Sequence, residues 1–367
     1  MKRSPFYELH VKAGAKMASR AWATPMEYVG VKEEHEAVRQ RAGIIDFSSM
    51  GEISIKGKDA LSLVQKLIVN DASRLTYGKV LYSSMLNEKG GMVDDTTVYC
   101  FSNEHYWIVT STAGRFKDFK WITEKAKDMN VGVEDISSGI GLLCFQGPLS
   151  REILQNVTGI DLQKIKYFEF GEGKIGDTEV LVSRTGFTGE LGYEIYVRSE
   201  DAYELWDTLI EAGKPYDVLL CGMGAGSGIL PLEKGYLSGR EYNEDINPIE
   251  AGLGWTVRWN KGDFIGKSAL LEIKEKGISK TLIGFEMEDA SKIAKPGNVI
   301  LSDGKEIGKV TSGNYSYSVE KSIGMGYVPI EYSKIGAEIE IDLGNEKAKG
   351  IQVKKPFYDP KGERLRV

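Results

Sequence analysis

The chain changes period once, near residue 280, and that change limits its fold more than any other feature. Before it, amphipathic helical stretches alternate with strand-like stretches; after it, only short strands remain, separated by turn signals. Beyond 280, "TLIGFEM", "NVILSDGKEIGKVTSG", "SIGMGYVP" and "AEIEIDL" follow one another with little helical periodicity, and Asp303-Gly304 supplies a hairpin turn. The pattern predicts a separate small β-barrel or sandwich over about 280–367. Upstream, "KEEHEAVRQRAGI" (32–44) reads as a helix closing at Gly43. The stretch "DALSLVQKLI" (59–68) puts Leu61, Val64, Leu67 and Ile68 on one helical face, and "EDAYELWDTLIEAG" (200–213) does the same with Ala202, Leu205, Trp206, Leu209 and Ile210. Strands are expected at 51–57, 105–111, 141–147, 179–185 and 192–198. The class is α+β followed by an all-β unit.

Composition narrows the function. The chain has 367 residues, 41% hydrophobic, enough for two or three domains. Its formal charge is −6, and basic residues are scattered among acidic ones, which leaves no stripe to hold a phosphate backbone. Nucleic acid is therefore not expected as a partner. No apolar run reaches the ~18 residues that would span a bilayer, and the start "MKRSPFYELH" lacks the apolar centre of a signal peptide, so no membrane association and a cytoplasmic location are expected. Cys100, Cys144 and Cys221 lie far apart, with no paired spacing, and read as buried small hydrophobes. His10, His35 and His105 are equally isolated, so no metal site is expected. Chemistry must come from carboxylates, tyrosines or a cofactor.

One strand carries an anomaly. "GGMVDDTTVYCF" (90–101) sets two carboxylates side by side in a β stretch, where Asp is depleted. Alternation assigns Asp95 to the face of Val93, Thr97 and Tyr99, and Asp94 to the face of Met92, Thr96 and Val98. Only one of the two can enter a given cavity. A solvated acidic pair on an edge strand is the bland reading.

Several ordered phrases then bear on the choice: "ELHVKAGAKM" (8–17), "EEHEAVRQRAGIIDFSSMG" (33–51), "MLNEKGGMVDD" (85–95), "LLCFQGP" (142–148), "SRTGFTGELGYEIYV" (183–197), "PIEAGLGW" (248–255), "DFIGKSAL" (263–270) and "VTSGNYSYSVEKSIGMGYVP" (310–329). Together they resemble the aminomethyltransferase family, the T-protein of glycine cleavage and its folate-dependent relatives. The resemblance implies a three-domain cloverleaf around a central folate-binding hole. In that arrangement residues 1–52 and about 140–275 form a folate-binding α+β core interleaved with a 53–139 domain that carries the "GGMVDD" strand, and the C-terminal barrel follows. It implies tetrahydrofolate as cofactor and Asp95 as the catalytic carboxylate. Burial would bring such a group toward neutral pKa, ready to orient an amine or take its proton. Glu194, with two parallel acceptor oxygens, is the matched partner for the pterin's donor pair, and Glu190, Met50, Tyr167 and Trp255 are further folate-contact candidates.

Departures from the family pattern point to a variant activity. Ser49 stands in "SSMG" where a His is usual, and Phe187 replaces a Tyr. The phrase "GMGAGSGILPLEKG" (222–235) lacks two arginines and an aspartate, one of the arginines being a holder of the folate's acidic tail; Lys234 or Arg240 is the candidate substitute. These losses favour a demethylase that moves a methyl group from a small N-, S- or O-methyl donor to tetrahydrofolate. Trp22, Tyr28 and Trp107 are the aromatic candidates for walling a cationic donor. The alternative is a glycine-cleavage T-protein, whose partner would be a lipoyl H-protein. A non-enzymatic folate-binding role in iron–sulfur maintenance is a third reading, weakened because "KGYLSGRE" (234–241) has Tyr236 where that group carries its essential Cys.

Overall fold

The computed structural model describes all 367 residues. Two sheets pack face to face, helices cover their outer faces, and a barrel closes the C-terminal end. The first sheet has six strands in the order Phe170–Ile175, Thr178–Ser183, Gly192–Arg198, Ile140–Gln146, Gly43–Asp46 and Leu219–Leu220. The second has five, in the order Lys79–Leu86, Met92–Ser102, His105–Thr110, Gly51–Lys56 and Gly132–Asp135.

Side-chain alternation sorts each strand into two cores. On the outer face of the first sheet, Ile44, Leu143, Phe145, Tyr193 and Ile195 pack against Ile153 and Leu154 of the helix Ser150–Gln155 and Leu205, Trp206 and Leu209 of the helix Ala202–Gly213. On the outer face of the second, Ile53, Ile55, Val98 and Ile108 pack against Leu63, Val64 and Leu67 of the helix Ala60–Leu67 and Ile122 of the helix Arg115–Lys125. Between the sheets, Ile45, Leu142, Cys144, Leu181 and Tyr196 meet Val80, Tyr99 and Val109. Alternate residues of one strand therefore belong to different cores.

The barrel is closed from six strands, Lys280–Met287, Lys321–Pro329, Lys305–Ser316, Val299–Ser302, Glu338–Asp342 and Lys347–Val353. Its Asp303-Gly304 turn has φ of 50° and 75°, the pair of left-handed residues that a two-residue hairpin requires. Gly43 does not close a helix as its position predicts. The helix ends at Gln40, and Gly43 opens a strand where an added Cβ would stand 2.5 Å from Cys221 Sγ and 2.6 Å from Val38 Cγ2, so the glycine serves close packing. All three cysteines are buried and unpaired.

A polar cluster joins the barrel to the two-sheet body. Glu233 accepts from His35 Nε2 (2.9 Å) and Arg39 Nε (3.0 Å) on the body side, and from Ser316 Oγ (2.6 Å) and Ser318 Oγ (2.9 Å) on the barrel side. His35 and Arg39 beside it hold its carboxyl down to about 2, against the cost of burial.

Candidate active site at the seam between the sheets

The strand Met92–Ser102 is not an edge: it runs between Lys79–Leu86 and His105–Thr110. Its two carboxylates diverge. Asp95 lies on the inner face with Thr97 and Tyr99, while Asp94 turns outward toward the helix Arg115–Lys125 and is 1% exposed. Val93 departs from the simple alternation. The register slips opposite Met85 and Leu86, so Val93 joins the outer core with Met85 and Val98, and Met92 turns with Leu86 toward a further core that also holds Leu282, Ile323 and Met325 of the barrel. A bulge placed immediately before the pair sets its direction.

The double glycine explains how that bulge is held. Gly90 has φ of 84°, and a Cβ on Gly91 would lie 1.7 Å from the Glu244 carbonyl oxygen. The segment 242–246 therefore presses against the start of the strand, where Met92 N donates to Ile246 O at 2.8 Å. That approach delivers the Tyr242 hydroxyl to Asp94 Oδ1.

Asp95 accepts from the Tyr82 hydroxyl at 2.7 Å across the strand pair. Burial, reinforced by the neighbouring Asp94, pushes its carboxyl up to about 6. Trp255 stacks on Tyr82 with ring centroids 6.2 Å apart and is 61% exposed, so an open aromatic surface leads to the carboxylate.

Four residues along the same strand face, about 13 Å away at the usual strand rise, the Tyr99 hydroxyl donates to Glu194 Oε2 at 3.0 Å. Thr185 Oγ1 (2.7 Å) and the Tyr196 hydroxyl (3.1 Å) converge on the same oxygen. Glu194 sits on the inner face of the first sheet, opposite Cys144 and Ser183. Desolvation raises its pKa, against the lowering by these three hydroxyls. Its Oε1 has no partner within the protein. A carboxylate fixed by one oxygen and open at the other suits a ligand that offers N–H donors.

The remaining predicted residues separate into two groups. Met50 and Trp107 pack in the layer between the sheets, Trp107 against Phe101 (4.9 Å) and Tyr196 (6.2 Å). Tyr167 is half-buried beside Tyr236, which stacks on Phe187 at 5.8 Å, so a phenol stands close to the position where Phe187 lacks one. Glu190, expected at the folate, is instead a buried counter-ion: Arg364 Nε (2.7 Å), Arg39 Nη1 (3.1 Å) and the Tyr358 hydroxyl (3.2 Å) occupy both its oxygens. Trp22, expected as a donor wall, faces the protein's own cations, Arg115 at 5.4 Å and Lys2 at 5.8 Å. Tyr28 donates to His10 Nδ1 at 2.7 Å, and His10 Nε2 pairs with Asp46 at 2.7 Å, so its hydroxyl is held in a chain of its own. Lys234 is buried, with its ammonium on the Asp359 carbonyl (2.7 Å), and is not free for an acidic tail. Arg240 is exposed.

Sequence reasoning missed Tyr82, Tyr99, Tyr196, Thr185 and Tyr242, which hold the three carboxylates Asp95, Glu194 and Asp94. It also missed Glu52, 1% exposed on the inner face opposite Val109, whose oxygens find no donor and whose pKa is raised well above the usual range by burial. The available signal was a Glu inside the "GEISI" strand, on the face opposite Ile53 and Ile55.

Comparison with known proteins decides the family. Residues 6–261 match the GCVT N-terminal domain, and residues 280–359 match the glycine cleavage T-protein C-terminal barrel domain. The chain belongs to the aminomethyltransferase (glycine cleavage T-protein) family. It is 44% identical to an aminomethyltransferase of Caldanaerobacter subterraneus over 98% of this chain and 96% of the relative. It is 41% identical to that of Halothermothrix orenii, over 97% and 100%. The crystal structure of the glycine cleavage system aminomethyltransferase T from Bartonella henselae superposes with a TM-score of 0.91 at 30% identity, covering 98% of each chain. An enzyme of this aminomethyltransferase family transfers one-carbon units and uses tetrahydrofolate. No helix is long and apolar enough to cross a membrane.

Proposed function

We propose that this chain is the aminomethyltransferase of a glycine cleavage system, taking its one-carbon unit from a lipoyl H-protein and passing it to tetrahydrofolate. The observation that carries this reading is similarity along the whole chain, at 41 to 44%, to proteins named for that activity. The demethylase reading drew on Ser49, Phe187 and the 222–235 phrase, three local departures set against that full-length agreement.

Reduced folate supplies the nucleophilic nitrogen that receives the one-carbon unit. In this reading Glu194 holds the pterin through its open Oε1, and its three hydroxyl partners keep the carboxylate from rotating. Asp95 orients the reacting amine and takes up its proton. With a pKa near 6 it is ionised at neutral pH yet basic enough to serve. Tyr82 and Trp255 form the wall beside it, Met50 and Trp107 line the seam, and Tyr167 stands beside Tyr236.

The test offers the protein tetrahydrofolate with either an H-protein carrying the one-carbon unit or a panel of N-, S- and O-methyl compounds. Methylene-tetrahydrofolate formed from the H-protein is the expected product. Methyl-tetrahydrofolate formed from a small donor, with no turnover of the H-protein, would overturn the assignment in favour of a demethylase.

A further inference from the structure

Three carboxyls meet at the start of the strand Met92–Ser102, and only Asp95 faces the seam. The third is Asp118, in the first turn of the helix Arg115–Lys125, fully buried against the outer face. No N–H or O–H group reaches either of its oxygens. Another carboxyl stands beside it: a Cβ added to Gly114 would lie 2.1 Å from Asp118 Oδ2 and 2.4 Å from Asp94 Oδ2, so both oxygens crowd one point above that glycine.

Two buried carboxylates cannot share such a point unless a proton lies between them. The direction of sharing follows from the other bonds. Asp94 is already an acceptor on both oxygens, from the Tyr242 hydroxyl at Oδ1 and from Ser111 N at 2.8 Å at Oδ2. Asp118 has only Asp94 to bond. The cations nearby are otherwise engaged: Lys117 donates to Val93 O at 2.7 Å and lies 3.8 Å from Glu244, and Arg115 turns toward Asp135 at 3.7 Å. The groups facing the pair are therefore Lys117, Tyr242, Asp95 and, behind Asp95, Tyr82.

We propose that Asp118 is a neutral acid that donates its proton to Asp94, and that the pair forms one shared negative charge that positions and tunes Asp95 from behind the sheet. One proton and one charge are shared by two residues, and nothing is transferred during turnover. Burial and Asp94 push the Asp118 carboxyl up to about 10, in keeping with a proton retained at neutral pH. Asp94 and Asp118 are positioning residues. The link to turnover rests on the role proposed for Asp95; the protonation of Asp118 does not.

Infrared difference spectroscopy of the full chain and of Asp118→Asn separates the two. The wild type should show a protonated-carboxyl C=O band that persists above neutral pH and is missing from Asp118→Asn. Absence of any band that this isosteric change removes would overturn the pair. On acidification a second such band should appear with a midpoint of about 6 and be missing from Asp95→Asn. In folded Asp94→Asn that midpoint, and the acid limb of the one-carbon transfer profile, should fall by about one to two pH units as the charge behind Asp95 is lost. An unmoved midpoint would overturn the tuning. A shifted midpoint with an unmoved acid limb would keep the pair and remove Asp95 from the rate. Should Asp94→Asn not fold, the midpoint read in wild type decides: a value in the ordinary carboxylate range overturns the tuning.

Discussion

The Tyr82 hydroxyl donates to Asp95 Oδ2 at 2.7 Å, and because these residues sit on neighbouring strands, the phenol lowers the carboxyl's pKa while burial and Asp94 raise it. Tyr82→Phe should therefore move the acid limb of turnover above about 6 and cost roughly 0.5 to 1.5 kcal/mol in transfer rate. Asp95→Asn should lose transfer by roughly 10²-fold or more. Both are read from a pH–rate profile on variants first shown to be folded by circular dichroism. Full turnover in Asp95→Asn would remove the carboxylate from the mechanism.

Glu194→Gln exchanges an acceptor for a donor at the oxygen pair held by Tyr99, Thr185 and Tyr196. Tetrahydrofolate should bind about 1.5 to 3 kcal/mol more weakly by calorimetry. Unchanged affinity would place the pterin elsewhere.

Stability should fall with rising pH through the acid pair. A carboxyl whose pKa is higher in the folded chain than in the unfolded one binds its proton more tightly when folded. Its contribution is complete below the unfolded value and fades as pH climbs through the folded value. For Asp118 that window runs from about 4 to about 10. Asp118→Asn should flatten the decline of Tm across it. Glu233, held down to about 2, acts in the opposite sense: its stabilisation is present above its unfolded pKa and is lost as pH falls toward 2. Scanning calorimetry of wild type and Asp118→Asn against pH tests both limbs.

Gly91→Ala would place a Cβ 1.7 Å from the Glu244 carbonyl and push the segment 242–246 away from the strand. A loss of about 1 to 3 kcal/mol by denaturant unfolding is expected. Turnover should fall with it, because Tyr242 would leave Asp94.

Much of this was legible in the residues. Strand alternation placed Asp95 with Thr97 and Tyr99, and the shift to short strands after 280 announced the barrel, because period and turn chemistry are local properties. The bulge at Val93 was not legible, since it depends on the 242–246 segment pressing on Gly91. For the same reason Tyr242 could not be assigned to Asp94, 148 positions earlier, nor Glu190 to Arg39 and Arg364. No local pattern singled out Asp118. Its burial appears only when the helix is laid on the sheet and Gly114 lets two carboxyls close on one point.

The Glu233 cluster bears on how the molecule comes apart. His35 and Arg39 bind that carboxylate from the body, Ser316 and Ser318 bind it from the barrel, and each side would leave charged or polar groups without partners if it withdrew alone. The barrel and the body should therefore melt together, with calorimetric and van't Hoff enthalpies in agreement despite three hydrophobic cores in the body. Glu233→Gln, at a cost of about 3 to 5 kcal/mol, should lower the temperature of that single transition without splitting it, because Leu86 and Met92 of the body share an apolar core with Leu282, Ile323 and Met325 of the barrel.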